Sequence, residues 1–141
     1  MAQTSFEEIV ETFEFLDDWE DRYRYVIELG KAMPKIDTAL KVESSKVEGC
    51  ASQVWIHCFI EGKGENSIFS FDGESDALIV SGLISILRSL YNGLRLIDVN
   101  QVNVMAELER LNLKENLSAQ RSNGLRAMIQ RINSTALNAF I

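Results

Sequence analysis

Few chemical tools are present in this chain, and each shortage removes a class of function. Of 141 residues, one is histidine (His57) and two are cysteine (Cys50 and Cys58). Two cysteines cannot make the disulfide framework of a small secreted domain. Even with His57 they fall short of a four-ligand zinc or iron–sulfur site, and no Cys-x-x-Cys redox pair occurs. Cations are scarce as well. Against 21 Asp and Glu there are 14 Lys and Arg, which leaves a net charge of −7 and a pI near 4.7. That balance argues against docking on a nucleic-acid backbone, which calls for a basic face. No apolar run reaches the roughly 18–20 residues needed to cross a bilayer. The first residues lack the basic-then-apolar pattern of a secretory signal. A cytoplasmic, reducing setting is therefore expected, where a free thiol persists as a thiol. No glycine-rich phosphate loop is found; Gly62-Lys63-Gly64 reads as a hairpin turn.

What is present describes an ordinary globular chain. An apolar fraction of 46% over this length is enough to bury a core without staples, and one domain over residues 1–141 is expected. Acid gathers early, at Glu7, Glu8, Glu11, Glu14, Asp17, Asp18, Glu20 and Asp21, while Arg110, Lys114, Arg121, Arg126 and Arg131 make the C-terminal part more basic. Such asymmetry can steer a protein partner.

Thr4 to Glu7 reads as a capping box, and Phe6, Ile9, Val10, Phe13 and Leu16 follow at helical spacing. Asp17-Asp18 caps a second helix with Trp19, Tyr23, Val26, Ile27 and Met33 on one face, stopped by Pro34, the only proline. Residues 35–46 read as a surface loop leading to a short strand near 45–48. From Gln53 to Glu61 the pattern alternates: Val54, Ile56, Cys58 and Ile60 on one face, Trp55, His57, Phe59 and Glu61 on the other. A turn over 61–66 leads to a strand at 67–71, and Asp72-Gly73-Glu74 reads as another turn. Ser75 or Asp76 then caps an apolar helix over 77–91, carrying Leu78, Ile79, Leu83, Ile86, Leu87 and Leu90 and ended by Asn92-Gly93. A shorter helix is expected over 99–111. A loop through residues 118–121 leads to the last helix, with Leu125, Met128, Ile129, Ile132, Leu137 and Phe140 at 3.6 spacing. The sum is an α+β fold: a small three-stranded antiparallel sheet with helices packed on one face.

Periodicity separates the two thiols. Cys58 falls on the apolar face of its strand, where a free cysteine behaves as a small hydrophobe. Cys50 lies outside the alternation, behind Gly49, whose missing Cβ allows a sharp turn, and before the polar pair Ser52-Gln53. A Cys–His dyad is poorly supported. The strand from Gln53 to His57 covers about 13 Å, well beyond the roughly 3 Å over which a base must act. With no base or metal set in view, thiol exchange with another protein is the remaining chemistry, needing only a nucleophilic thiolate with access to a sulfur. Lys46 or Arg121 would lower the thiol pKa and Glu48 would raise it.

The segment Val47-Glu48-Gly49-Cys50-Ala51-Ser52-Gln53-Val54-Trp55 resembles the signature loop of the SufE family, sulfur acceptors for cysteine desulfurases. Three further stretches agree: Asp18-Trp19-Glu20-Asp21-Arg22-Tyr23 with Ile27-Glu28-Leu29-Gly30; Gly73-Glu74-Ser75-Asp76-Ala77 with Ile79-Val80-Ser81-Gly82-Leu83; and Arg121-Ser122-Asn123-Gly124-Leu125. The resemblance implies a fold shared with iron–sulfur scaffold proteins but without their cluster ligands. It implies that Cys50 takes a sulfane sulfur from the persulfide of a desulfurase, holds it as its own persulfide and passes it to an iron–sulfur assembly system or another sulfur acceptor. Small thiols would strip such a persulfide if it were exposed, so the loop is expected to tuck Cys50 against apolar side chains. Gly49, Ser52 and Gln53 would shape the loop, and Asp76 and Arg121 fall in motifs the family places near it. Plain readings stand beside these, a helix cap for Asp76 and a solvated helix-start cation for Arg121. No cofactor or metal is expected on this chain, the pyridoxal phosphate belonging to the partner, and monomer and homodimer are both open. One departure is Leu117-Ser118-Ala119-Gln120-Arg121, where the family usually has a proline. A docking module that activates a desulfurase without covalent chemistry is the alternative, and a thiol-dependent hydrolase a second.

Overall fold

In the computed structural model, which describes residues 4–139, two strands and the helices around them follow from the caps and turns of the chain. Phe140 lies outside the described residues. Helix α1 (Phe6–Phe15) begins one residue later in its capping than the Thr4–Glu7 box predicts. Ser5 is the N-cap, and its hydroxyl accepts from the Glu8 N–H at 3.2 Å. Asp18 caps α2 (Trp19–Ala32) as expected, accepting from the Glu20 N–H at 2.8 Å. Arg22 closes the elbow between the two helices by donating to the carbonyls of Phe13 and Leu16, at 3.1 and 2.8 Å.

Strands β1 (Val54–Glu61) and β2 (Ile68–Ser75) pair antiparallel, with Val54 opposite Ser75 and Glu61 opposite Ile68. Among the described residues the sheet has two strands, not three. The expected strand near 45–48 is a single bridge between Lys46 and Trp55. Before it, residues Glu43–Ser45 coil into a 3-10 turn held by the Ser45 hydroxyl, which donates to the carbonyls of Leu40 and Val42. A segment entering from a helical turn and leaving into the Gly49 turn has no length left for a ladder.

The second strand is also longer than predicted. Asp72-Gly73-Glu74 has the residue types of a turn but continues β2, with Gly73 opposite Ile56. The glycine marks a close approach: a Cβ there would lie 2.8 Å from Ile84 Cγ2. Helix α3 (Leu78–Tyr91) supplies that isoleucine and packs on β2, its Arg88 Nε donating to the Phe71 carbonyl at 3.0 Å. Val80, Leu83, Ile84, Ile86, Leu87 and Tyr91 of this helix are buried, whereas Leu78, expected in the core, is exposed. Neither Ser75 nor Asp76 caps it in the ordinary way. Ser75 Oγ accepts from the Ala77 N–H just before the helix, and Asp76 turns elsewhere.

The expected helix over 99–111 is divided. A 3-10 turn (Leu96–Gln101) precedes α4 (Val104–Glu109), because the Asn103 side chain accepts from the Ala106 N–H and starts a new helix. Asn112, left-handed at φ 53°, then ends that stretch before the short α5 (Leu113–Asn116). Helix α6 (Ala119–Asn138) begins at Ser118, whose hydroxyl accepts from the Arg121 N–H at 3.2 Å, so a serine cap starts the helix without a proline. It buries Leu125, Met128, Ile132 and Ala136 and lies against β1. Both α3 and α6 cover the sheet face of Ile56, Cys58, Phe69 and Phe71. Trp55, His57 and Phe59 stay half-buried on the opposite face.

Candidate functional site

Cys50 sits in a loop whose two ends are tied together. At the base, the Val47 N–H donates to the Val54 carbonyl at 2.8 Å, and Val47 and Val54 are both buried. On the outgoing side, Asp76 holds Gln53 twice: its carboxylate accepts from the Gln53 N–H at 3.0 Å and its own N–H donates to the Gln53 carbonyl at 3.3 Å. Ser75 Oγ lies 3.5 Å from Ser52 Oγ beside this clamp. Asp76 therefore braces the loop from the start of α3, 23 residues away in sequence, rather than serving as a helix cap.

Gly49 supplies the turn at the loop's tip. Its φ of +89° is costly for any residue with a Cβ, and a Cβ there would also reach within 3.4 Å of Ala127 Cβ on α6. The turn lays Cys50 on the same helix. The thiol donates to the Gly124 carbonyl at 3.7 Å, a contact of sulfur length, and a Cβ on Gly124 would stand 3.6 Å from Sγ. Between the loop, the start of α3 and α6 lies a cavity of about 290 Å³, bordered by Cys50, Ala77, Val80, Arg121, Leu125 and Met128. A larger cavity, about 570 Å³ between the end of α2 and the start of α3, is lined by Lys31, Lys35, Lys41 and Glu74 and does not include Cys50.

The thiol is half-buried and packs against the apolar core. Burial pushes its pKa above the ordinary thiol range, and the neighbouring Glu48 carboxylate adds to the push. That net direction is the opposite of what a cation beside the sulfur would produce. Arg121 is exposed on the cavity rim, and Lys46 contributes a backbone carbonyl to the loop's support rather than its charge to the thiol. The free protein thus holds Cys50 as a protonated, sheltered thiol at neutral pH.

His57 takes no part in this arrangement. Its ring packs edge-on against Phe59 at 4.9 Å on the outer face of β1. Cys58 faces the core side and α6, where burial pushes its thiol up to about 11 against the opposing pull of a Thr135 hydrogen bond and the Arg131 charge. Among the described residues no group of three or more His, Cys, Asp or Glu is placed to hold a metal ion.

Three supports of the loop were not read as such in the sequence: Gly124, quoted in a motif without a role, Ala127, and Arg131, counted only among the C-terminal cations. Arg131 donates from α6 to the Lys46 carbonyl at 3.1 Å and to the Ser44 carbonyl. Their spacing of three and four residues places them on one helix face, a signal visible in the sequence but silent about what that face covers.

The Fe-S metabolism associated domain, SufE, matches residues 7–136, and the chain belongs to the SufE family. Membership ties it to iron–sulfur metabolism and to a role in sulfur transfer beside a cysteine desulfurase. An uncharacterized SufE-like protein of Rhizobium meliloti (strain 1021) is 46% identical over 133 residues, covering 94% of this chain and 95% of its own. Another, from Rhizobium etli, is 48% identical over 136 residues, covering 96% of this chain and 92% of its own. The fold is also that of a hypothetical protein from Thermus thermophilus, solved in solution, with a TM-score of 0.73 at 20% identity over 99% of this chain and 98% of that one. Among the described residues no helix is long and apolar enough to cross a membrane.

Proposed function

We propose that this protein is a cytoplasmic sulfur acceptor that takes a sulfane sulfur from a pyridoxal-phosphate cysteine desulfurase onto Cys50, stimulates that enzyme, and hands the sulfur to iron–sulfur cluster assembly. The observation that carries the reading is the placement of Cys50: a thiol at a glycine turn, braced on both sides, opening on a cavity of about 290 Å³ lined largely by apolar side chains. The Cys50 thiolate attacks the outer sulfur of the desulfurase cysteine persulfide. The bond between that sulfur and the desulfurase cysteine breaks, and the cysteine leaves as a thiolate that can take the proton Cys50 gave up. One thiol and one persulfide become one persulfide and one thiol, so no outside oxidant or reductant enters.

The raised Cys50 pKa fits an acceptor that waits. Only a small fraction of the thiol is ionised at neutral pH in the free protein, which slows attack on stray electrophiles. Contact with the desulfurase has to move the loop or offset Glu48 before transfer is fast. Gly49, Ser52 and Gln53 shape the loop, Asp76 braces it and Arg121 stands at the rim where a partner arrives. The cofactor of the reaction resides on the desulfurase.

The test is the intact mass of the protein after incubation with a desulfurase and cysteine. The expected gain is one sulfur atom, removable by reductant and absent in Cys50→Ser. Stimulation of the desulfurase that survives in Cys50→Ser would instead identify a docking activator without a covalent role.

A further inference from the structure

Arg131 is a cation of α6 that touches the frame of the Cys50 loop. Its guanidinium spans two backbone carbonyls, Ser44 and Lys46, on the limb that leads into the loop. Buried Ser45 lies between them and is already tied to Leu40 and Val42. Two turns earlier on the same helix, Gly124 carries the thiol on its carbonyl, and one turn earlier Ala127 supports Gly49. One helix face therefore bears the floor under Cys50 and the strut beside it. A forked guanidinium suits this task because its donors lie in one plane and reach two acceptors at once.

We propose that Arg131 is a positioning residue for the Cys50 thiol: by holding the Ser44 and Lys46 carbonyls it sets how deeply the loop sits on α6. The proposal rests on Cys50 being the working thiol, but it concerns the free protein and needs no desulfurase to be examined. Without the strut, the limb from Val42 to Val47 keeps its Ser45 and Val54 ties, yet the tip at Gly49-Cys50 is free to rise from Gly124. Among the described residues the charged groups to weigh around Cys50 are Glu48 on its own loop, Lys46 on the limb leading into it, Arg121 on α6 and Asp76 at the start of α3. All four remain in an Arg131 variant, so a change in the thiol reports its depth.

Arg131 acts on the two thiols in opposite senses, and this separates positioning from general loosening. Its charge pulls the Cys58 thiol down, so losing it leaves Cys58 harder to ionise. The same loss returns Cys50 towards water and makes it easier to ionise. The experiment is the pH dependence of alkylation at each cysteine, followed by peptide mass in wild type, Arg131→Met and Arg131→Lys. For Arg131→Met we expect the Cys50 midpoint to fall and its alkylation at pH 7 to become about threefold faster, the lower nucleophilicity of a more acidic thiolate offsetting part of the gain in ionisation, while Cys58 becomes no faster. Lysine, a single point donor, should give an intermediate shift, and it serves also if Arg131→Met does not fold. An unchanged Cys50 profile in the folded variants overturns the proposal. So does a parallel rise in both cysteines, which would mean only a looser protein. A positive result alongside failed sulfur loading of the wild type would leave the positioning role standing and sink the relay.

Discussion

At the scale of single residues, two thiols of one chain are assigned opposite lives by their surroundings. Cys50 is half-buried at a turn with a carboxylate nearby, and Cys58 is closed in beneath α6. Both are pushed upward, so alkylation in the folded protein is predicted to lag behind an unfolded peptide thiol at pH 8. It should rise first at Cys50 and only near pH 11 at Cys58; site-resolved labelling across pH checks the order. Equal rates for Cys50 and a free peptide would mean the loop gives no shelter. The sign for stability follows from the same numbers. Between the ordinary thiol value of about 8.5 and the folded value of about 11 at Cys58, the unfolded chain loses a proton that the folded one keeps. Stability contributed by the neutral buried thiol is therefore full below that window and is lost as pH rises through it.

At the scale of elements, α6 and the Cys50 loop are one device. The helix begins at Ser118, carries Gly124 under the thiol, Ala127 under Gly49, and Arg131 beside the incoming limb. Glycine inside a helix costs roughly 1 kcal/mol relative to alanine, so Gly124 runs against helix propensity. A methyl group there meets Sγ at 3.6 Å, an ordinary contact that forces nothing to move. Gly124→Ala is predicted to raise the thermal midpoint by the equivalent of about 0.5–1 kcal/mol while slowing sulfur loading of Cys50, because the added methyl takes space beside the sulfur. Calorimetry and a timed mass measurement read the two effects separately. A gain in stability with undiminished loading would show that the space beside Sγ is not used.

At the scale of the whole molecule, the site depends on a helix crossing that does not touch it. Helices α2 and α3 meet at Gly30 and Gly82, where a Cβ on Gly82 would stand 2.1 Å from the Val26 carbonyl oxygen. Backbone meets backbone there, so no side chain can swing aside. Gly82→Ala is predicted to destabilise the protein by about 3 kcal/mol, the upper end of ordinary overpacking costs, despite the better helix propensity of alanine. The readout is a lower urea midpoint at unchanged slope. The same crossing sets the height of α3, hence the position of Ala77 and Val80 at the cavity and of Asp76 at the loop.

Residue order alone determined the parts that local chemistry decides. The period of Val54 to Glu61 separated Cys58 from Cys50, Gly49 marked the turn, Asp18 and Pro34 bounded α2, and the apolar run of α3 named the core helix. Those features depend on neighbours three or four residues away, and the chain displays them openly. Only the tertiary structure decided what depends on distant segments. It reduced the sheet to two strands by coiling 43–45, drew Gly73 into β2 to admit Ile84, and decided between the two readings of Asp76, a helix cap and a neighbour of the loop, by making it a brace for Gln53. It also brought Arg131 to carbonyls more than 80 residues earlier. Hydrogen bonds and close approaches of that span follow from how helices cross and cover a sheet, and no local pattern encodes them.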